Sequence, residues 1–385
     1  MKKICFVTTI SMTLNAFIVD TAKYLHEHGG FDITFICDTD EEFESTLPDY
    51  IKYIPVPMKR GINLSGLIAI SKLRSIFMKE KFDVVQYSTP NASCYASIAA
   101  IMVKIPVRLY CQWGIVYVGF SGLKRKVFKA IEKMICYFST WIEPDSFGNL
   151  NFSREEGLYT EKKSSVVWNG SASGVNLNKF DIEHKDRWRK EIRSKYGVGE
   201  NTFVFGFVGR ITRNKGVNEL FAATKKFLEE KQDSVLMLIG DKENSNSINK
   251  ELWQWCLKEE RVIYCGRTNE VEKYLSAMDV FILPSYREGF GNVVIEAGAM
   301  AVPVIVTDIP GPTEAMINGE TGVVVKKADI ESLKTAMIFL MKDNQKRLKM
   351  GNKGHSFVTE KFKSPKLMEH ILRDRNRLLE NSPVK

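Results

Sequence analysis

The sequence predicts an α/β protein in which each of two domains contains a doubly wound parallel sheet. Short apolar runs, typical of buried parallel strands, alternate along the chain with longer segments of helical periodicity. One strand–helix–strand series begins at Lys2, and a second begins at Phe203. The length of 385 residues is sufficient for two domains with separate cores.

The first series occupies residues 1–170, which we predict to form the first domain. Its first helix ends at Gly29 and Gly30, a common helix terminus, and residues 11–15 before it are predicted to be a loop. No Gly-x-Gly-x-x-Gly pattern follows the first strand, which argues against a nicotinamide- or flavin-dependent enzyme. The predicted strands are 2–9, 31–37, 51–55, 82–87, 107–112 and 141–144, and the main helices are 16–28, 64–79, 91–103 and 119–138.

A connector rich in glycine and serine precedes residue 175 and marks the predicted domain boundary. We assign residues 171–362 to the second domain and residues 363–385 to a C-terminal helical segment. The predicted strands of the second domain are 203–208, 235–240, 261–266, 279–283, 304–308 and 322–325. The predicted helices are 185–195, 217–230, 292–300, one that starts near Pro310 and ends at Gly319, 330–342, 345–357 and 366–379.

The charge of the chain is positive and unevenly distributed. The net charge is +9, and residues 51–133 contain 14 Lys or Arg against 3 Asp or Glu. Such a region favours nucleic acid, an anionic membrane or an anionic substrate as partner. Because no nucleic-acid-binding module is recognisable, we expect no nucleic acid, and an anionic membrane surface or a lipid diphosphate is favoured.

The predicted helix 119–138 leaves two interpretations open. Its apolar residues keep helical spacing from Leu123 to Phe138, and lysines and one arginine lie between them. One interpretation is a helix packed on the core with a solvated basic face. The other is a helix that binds the surface of an anionic bilayer.

Seven cysteines are scattered without a Cys-x-x-Cys pair, so we expect reduced cysteines of a cytosolic protein and no metal site. No apolar run approaches the ~20 residues of a membrane-spanning helix. The first residues are typical of a strand and not of a signal peptide.

Residues 284–303 contain the main candidate site. Glu288 lies in a glycine-flanked loop after an apolar run, and a helix is predicted to begin at Asn292. The first N–H groups of a helix lack partners and carry partial positive charge, so residues 289–293 can bind phosphate. Glu296, about one turn into the helix, can accept hydrogen bonds from ribose hydroxyls. Taken alone, this pair is better explained as a solvated acid at a helix start and a second surface acid.

Two cations follow the first strand of the second domain. Arg210 and Lys215 lie where the carboxyl end of this strand meets a helix start, and together they can neutralise a diphosphate. Without the motif at 288–296, a pair of exposed loop cations is the favoured interpretation, and with that motif a shared diphosphate site is favoured. Arg267 follows a later strand at the same predicted edge.

The phrase E-G-F-G-N-V-V-I-E-A-G-A-M-A-V-P-V-I closely resembles the signature of family 4 glycosyltransferases of GT-B fold. Two further phrases, G-F-S-G-L-K-R-K and N-G-S-x-x-G-V-N-L-x-x-F at 169–180, resemble the capsule and lipopolysaccharide branch of that family. The resemblance covers nearly the whole chain. It implies two facing Rossmann-like domains with a cleft between them, the first for the acceptor and the second for a nucleotide sugar, with the last segment returning to the first domain.

The same resemblance implies a retaining transfer that needs no metal and no cofactor, with the donor a UDP-sugar. Glu296 would bind the ribose and Glu288 the donor-sugar hydroxyls. The remaining implied roles are the diphosphate for Arg210 and Lys215, sugar and phosphate for the amides of Gly289, Phe290, Gly291 and Asn292, and the base for Arg267.

One departure concerns the first domain. Many relatives have His-Gly after a strand that here ends Cys-Gln-Trp-Gly, so Gln112 or Trp113 replaces the imidazole. We include Trp113 among the candidate substrate contacts.

We therefore expect a cytoplasmic hexosyltransferase, peripheral on the inner face of the cell membrane. It would extend a lipid-diphosphate-linked glycan in surface polysaccharide biosynthesis. The alternatives are a GT-B sugar-nucleotide epimerase and a catalytically silent protein that binds nucleotide sugars.

Overall fold

The computed structural model describes residues 1–58, 65–230, 233–243 and 247–382. The chain forms two compact units, one made of Met1–Ser173 with Pro365–Lys385 and the other of Gly174–Ser364. Each unit contains one six-stranded parallel sheet. The prediction of two parallel α/β sheets is therefore confirmed.

The first unit has the strand order β3-β2-β1-β4-β5-β6. Its strands are β1 (Lys2–Val7), β2 (Phe31–Cys37), β3 (Ile51–Pro55), β4 (Val84–Tyr87), β5 (Val107–Gln112) and β6 (Trp141–Pro144). Its first helices are α1 (Ser11–Phe17), α2 (Val19–Gly29), α3 (Glu41–Ser45), α4 (Ser65–Glu80), α5 (Pro90–Met102), α6 (Gly122–Phe138) and α7 (Phe147–Glu155). The predicted start of a helix at residue 64 lies outside the described residues.

The predicted loop at residues 11–15 is wrong, since these residues belong to α1. Leu14 is fully buried against the first sheet, and this contact stabilises a short helix in a segment of modest helix propensity. A break at Ile18 then separates α1 from α2.

The second unit has the strand order β12-β11-β10-β7-β8-β9. Its strands are β7 (Phe203–Val208), β8 (Ser234–Ile239), β9 (Val262–Gly266), β10 (Val280–Leu283), β11 (Val304–Thr307) and β12 (Gly322–Val325). Its helices are α8 (Lys185–Lys195), α9 (Val217–Glu229), α10 (Lys250–Lys258), α11 (Val271–Ala277), α12 (Asn292–Ala299), α13 (Ile330–Lys342) and α14 (Asn344–Lys361).

The helix predicted to start near Pro310 is wrong, because turns occupy this segment. Gly311 has a φ of +94°, and a Cβ there would meet the carbonyl oxygen of Gly289. Close packing of two loop backbones therefore replaces a helix at this point.

The last helix, α15 (Ser364–Glu380), belongs to the first unit. Its residues Leu367, Ile371 and Leu378 lie in the same core as β1 and β2. The seven cysteines are free thiols. Among the described residues, no helix combines the length and the apolar character needed to cross a membrane.

Candidate functional site

The candidate residues of the second unit gather at the carboxyl edge of its sheet. β7 pairs with β10 on one side and with β8 on the other, so the direction of strand order reverses between β7 and β10. Ligands of open parallel sheets bind in the crevice beside such a reversal. The loop that contains Arg210 and Lys215 follows β7, and the loop that contains Glu288 follows β10.

A close backbone approach holds these two loops together. Gly216 has a φ of +70°, and a Cβ at this position would meet the carbonyl oxygen of Pro284. A hydrogen bond joins the same two loops, since the N–H of Tyr286 donates to the carbonyl oxygen of Asn214 at 2.8 Å. Only glycine fits at position 216, because it accepts both the left-handed conformation and the contact.

This approach brings Lys215 to Glu288, 73 positions later in the chain. Lys215 Nζ lies 2.6 Å from Glu288 Oε1, and Ser285 Oγ donates to the same oxygen at 2.6 Å. The side chains of Lys215 and Glu288 are only 22% and 11% exposed. The contact is therefore a partly desolvated ion pair at the sheet edge, stronger than a surface pair.

The turn from Gly289 to Asn292 presents backbone to the same edge. Gly291, with a φ of +84°, is the N-cap of α12 and has no side chain of its own to cap the helix. Phe290 is buried and its ring packs on Phe362 at a centroid distance of 5.3 Å. Only the backbone of Phe290 can therefore face a ligand, as its predicted role requires.

Glu296 lies one turn into α12 and keeps part of its surface accessible. Among the described residues, its carboxylate makes no hydrogen bond and no ion pair. Burial raises the pKa of Glu296 to about 7, while Lys179 acts to lower it and Glu272 to raise it. An accessible carboxylate without a protein donor is suited to accept hydrogen bonds from ligand hydroxyls.

Arg210 is not joined to the Lys215–Glu288 pair. Its side chain is 67% exposed, and its guanidinium lies 3.8 Å from Glu243. The cation beside the pair that the sequence analysis missed is Arg287, which directly precedes Glu288. Burial lowers the pKa of Arg287, Glu288 acts to raise it, and Arg210 acts to lower it, so Arg210 and Arg287 influence each other.

Arg267 follows β9, which is the edge strand two positions from β7. It is exposed. Arg267 therefore lies at the same edge of the sheet as Lys215, but two strands further along it.

In the first unit, Gln112 and Trp113 follow β5 and have different environments. Gln112 is fully buried. Its Nε2 donates to Glu132 at 2.6 Å, and its Oε1 accepts from Tyr159 at 2.9 Å and from Ser153 at 3.1 Å. All of its polar atoms are thus used inside the unit. Trp113 is partly exposed and packs on Phe17 at 5.6 Å, so it is the one of the two that can reach a ligand.

The arrangement in the second unit suits a sugar nucleotide. Lys215, Arg287 and the start of α12 carry the positive charge that phosphates require. Glu288 and Glu296 carry carboxylate oxygens of the kind that accept hydrogen bonds from hydroxyl groups. No group of three or more His, Cys, Asp or Glu side chains that could hold a metal ion occurs among the described residues.

Two family models match the chain. One, described as "Glycosyl transferases group 1", matches residues 189–357. The other, described as "Glycosyl transferase 4-like", matches residues 3–146. Each match falls within one of the two structural units.

The chain is 32% identical over 332 residues to the capsular polysaccharide biosynthesis glycosyltransferase CapM of Staphylococcus aureus, covering 86% of each protein. The chain belongs to family 4 of the glycosyltransferases. It is also 29% identical over 324 residues, 81% of each chain, to an Escherichia coli α-1,3-galactosyltransferase. That relative is named for UDP-Gal as donor and α-D-GlcNAc-diphosphoundecaprenol as acceptor.

Similarity to solved structures supports the same fold. Anabaena HepE, solved in complex with UDP and glucose, gives a TM-score of 0.80 at 19% identity, covering 98% of this chain and all of that one. WaaG, a glycosyltransferase of lipopolysaccharide biosynthesis, gives 0.74 at 15% identity, covering 97% and 98%. The protein is a glycosyltransferase of GT-B fold, with relatives in capsule and lipopolysaccharide biosynthesis.

Proposed function

We propose that this glycosyltransferase moves a sugar from a UDP-sugar to a lipid-diphosphate-linked glycan, with retention of configuration and without a metal ion. The observation that carries the proposal is the Lys215–Glu288 ion pair beside the start of α12, with the accessible carboxylate of Glu296 one turn further on. This set offers a cation, helix-start amides and two carboxylates within one short stretch of sheet edge.

In the proposed reaction, the bond between the anomeric carbon and the diphosphate oxygen breaks, and both electrons leave with the oxygen. Lys215, with the guanidinium groups of Arg287 and Arg210, stabilises the departing charge. The acceptor hydroxyl forms the new bond from the same face of the sugar. Its proton passes to an oxygen of the leaving diphosphate, so the products are a glycosylated acceptor and a nucleoside diphosphate.

Glu288 has two contacts that fix its position for this step. Lys215 and Ser285 both donate to Oε1 of Glu288, which orients its carboxylate toward the donor-sugar hydroxyls in this proposal. Thr307 donates to the carbonyl of Ser285 at 2.5 Å, so the loop that holds Glu288 is itself anchored on β11. A carboxylate held in this way stabilises positive charge that develops on the sugar as the bond breaks.

The acceptor class is supported by the relatives. Besides the Escherichia coli enzyme, a Campylobacter jejuni transferase, 26% identical over 328 residues, is named for a diphospho-undecaprenol acceptor. The positive charge of the first unit suits such a diphosphate.

Helix α6 carries a surface suited to an anionic bilayer. Leu123 and Tyr137 are 76% and 75% exposed, and Val127 between them is also exposed. We call these three residues, with the exposed Lys124, Lys126 and Lys133, the α6 stripe.

The rest of α6 contacts the protein. Lys129 is paired with Glu156 at 2.7 Å. Glu132, Ile135 and Cys136 on another face of α6 are buried, so one face of the helix packs on the core. We propose that the α6 stripe places the enzyme peripherally on the cytoplasmic face of the membrane.

The test of the proposed function is product analysis with a panel of UDP-sugars and undecaprenyl-diphosphate-linked sugars. A glycosylated lipid with the donor's anomeric configuration supports the proposal, and the inverted configuration contradicts the retaining step. Conversion of the UDP-sugar without an acceptor would identify an epimerase, and binding without any product a silent partner. Transfer is expected to be unchanged in EDTA, and loss of activity that Mn²⁺ or Mg²⁺ restores would contradict metal independence.

Membrane binding is tested separately by co-sedimentation with vesicles. The protein is expected to bind vesicles that contain phosphatidylglycerol and not pure phosphatidylcholine vesicles, with less binding at high salt. Lys126→Glu with Lys133→Glu should abolish binding, and Lys349→Glu on α14 serves as the control. Equal binding by both variants would contradict the α6 stripe as the membrane surface.

A further inference from the structure

Tyr286 joins the two loops of the candidate site through both its backbone and its side chain. It lies in the loop after β10, two positions before Glu288. Its N–H donates to the carbonyl oxygen of Asn214 at 2.8 Å, and its hydroxyl donates to Glu219 Oε1 at 2.7 Å. Asn214 lies in the loop after β7, and Glu219 lies in the first turn of α9, which follows that loop. Tyr286 therefore attaches the loop after β10 to the segment that contains the other half of the site.

The start of α9 does not by itself explain this contact of Glu219. Acidic residues are common in the first turn of a helix, where they act on the helix dipole or accept the N–H of the N-cap residue. Here the N-cap is Gly216, and its N–H donates to the carbonyl of Arg213 instead. In the part of the chain that the structure describes, the Glu219 carboxylate makes one hydrogen bond, to Tyr286, and its Oε2 is buried without a donor. Such burial costs free energy that a solvated helix-start acid would avoid.

The hydroxyl of Tyr286 is a donor at neutral pH. Burial, together with the hydrogen bond to Glu219, raises the pKa of Tyr286 to about 12, although Arg213 acts to lower it. The phenol is therefore protonated, and its bond to a carboxylate is of the stronger, charge-assisted kind. Replacing Tyr286 by phenylalanine removes one donor and no charge.

The bond between Tyr286 and Glu219 lies next to the residues that hold Glu288. Ser285, directly before Tyr286, donates to Glu288 Oε1, and Lys215 on the α9 side donates to the same oxygen. In the proposed function, Lys215 and Glu288 contact the donor, so the ion pair between them cannot alone keep the two loops in place. The hydrogen bond from Tyr286 to Glu219 is outside that exchange.

We propose that Tyr286 and Glu219 are positioning residues for Glu288, because their hydrogen bond holds the loop after β10 against α9 while the donor is bound. This inference rests on the proposed function, in which Glu288 acts on the donor sugar and Lys215 on the diphosphate. Neither positioning residue contacts the donor in this role. Without the bond, Glu288 shifts relative to the sugar, and a small displacement of a group that acts in the transition state lowers kcat. Lys215 stays with α9, so UDP binding is retained.

Steady-state kinetics of Tyr286→Phe separate positioning from stability. The kcat should fall about tenfold, as expected for loss of one hydrogen bond to a charged group, while the donor KM and the UDP affinity stay within about twofold. The matched control is Tyr117→Phe in the first unit, which removes a buried hydroxyl that donates to Glu156 at 3.2 Å. This control should keep a normal kcat, with circular dichroism as the check that each variant is folded. An unchanged kcat in Tyr286→Phe, or an equal loss in the control, would overturn the inference.

Two double-mutant cycles test whether the effect passes through the bond and through Glu288. Glu219→Ala should lower kcat as much as Tyr286→Phe, and the two changes together should be no worse than either alone, since they remove the same bond. In a Glu288→Gln background, Tyr286→Phe should cause no further loss, because the carboxylate that it positions is already absent. Additive losses in either cycle would overturn the inference.

Glu288→Gln alone distinguishes failure of this inference from failure of the proposed function. If Glu288→Gln lowers kcat and Tyr286→Phe does not, the catalytic role of Glu288 stands and the positioning role is wrong. If Glu288→Gln keeps a near-normal kcat, the catalytic role is wrong, and the positioning role is overturned with it.

Discussion

The two sheets have the same strand order but use the polar groups at their carboxyl edges differently. In the second unit, Lys215 and Glu288 pair at the edge, and Glu296 is partly exposed and accepts no hydrogen bond from the part of the chain that the structure describes. In the first unit, Gln112 is buried with Glu132, Tyr159 and Ser153 around it. The polar groups of the second edge are those that we propose to bind the donor, whereas Gln112 at the first edge bonds to elements of its own unit.

The C-terminal helix extends this difference. Arg375, which is fully buried, donates to Glu143 at the end of β6 and to Gln86 in β4 at 3.1 Å. Burial raises the pKa of Glu143, and the bonds from Arg375 favour its carboxylate form. A buried ion pair fixes where α15 lies on the first unit. Identical topology therefore does not determine whether an edge binds a ligand, and the side chains that reach it do.

The largest expected effect concerns the first unit, where buried polar groups bond to one another. Arg375→Met leaves Glu143 buried without its cation, which should cost about 3–5 kcal/mol of unfolding free energy. Chemical denaturation, followed through the unfolding transition of the first unit, measures this loss. Arg373→Met, two positions away on the exposed side of α15, is the control and should change stability by about 0.5 kcal/mol or less. If both variants lose the same stability, the pair does not hold α15.

The next effect concerns the carboxyl edge of the second sheet, where Lys215 and Glu288 pair. Glu288→Gln should lower kcat by roughly 10²–10³ because the carboxylate acts where charge develops in the transition state. Steady-state kinetics with the donor varied measure this, with the fold checked by circular dichroism. Glu320→Gln, which alters an exposed pair with Lys353, is the control. Near-normal kcat in Glu288→Gln would contradict the catalytic role and favour a protein that only binds nucleotide.

A smaller effect concerns the cation of the pair. Lys215→Ala should weaken UDP binding about tenfold or more, because it removes a charged hydrogen bond and leaves Glu288 negative beside the diphosphate. Isothermal titration calorimetry gives the affinity. Arg213→Ala, in the same loop and exposed, should bind UDP normally. An unchanged affinity in Lys215→Ala would remove Lys215 from the diphosphate site.

The smallest effect depends on pH. Because the pKa of Glu296 is raised to about 7, its carboxylate is incompletely formed at pH 6. If ribose hydroxyls bind the ionised form, the donor KM should fall about tenfold between pH 6 and pH 8, and Glu296→Gln should abolish this dependence. A variant that keeps the pH dependence would show that another group causes it.

The free energy of unfolding should decrease over the pH range in which donor binding becomes tighter. A carboxyl whose folded pKa is raised destabilises the fold as pH rises from its unfolded pKa toward its folded pKa. Glu296→Gln should therefore melt higher than the unmodified protein at pH 8, by roughly 2–4 °C per kcal/mol recovered. At pH 4 the two proteins should melt alike.

The sequence was sufficient for most elements of regular structure and for part of the site. β2 and β3 have the predicted bounds, and the residues that follow β7 and β10 were correctly placed after strands. The contact between Lys215 and Glu288 was not predicted, since 73 positions separate them. The burial of Gln112 was also missed. Glu132 offered a signal, because it lies between Ile131 and Ile135 on the inward side of α6.

Two short-range properties determined what the sequence alone could predict: the periodicity of apolar residues and the spacing of residues in a motif. They identified parallel α/β domains, a helix start after a glycine-rich loop and two candidate carboxylates. The tertiary structure decided which loops meet, and that Gln112 is fully buried while Trp113 is partly exposed. Such outcomes depend on strand order and on desolvation by residues distant in the chain. Polar side chains at corresponding sheet edges can therefore have different roles: a structural hydrogen bond for Gln112, and the proposed ligand contact for Glu288.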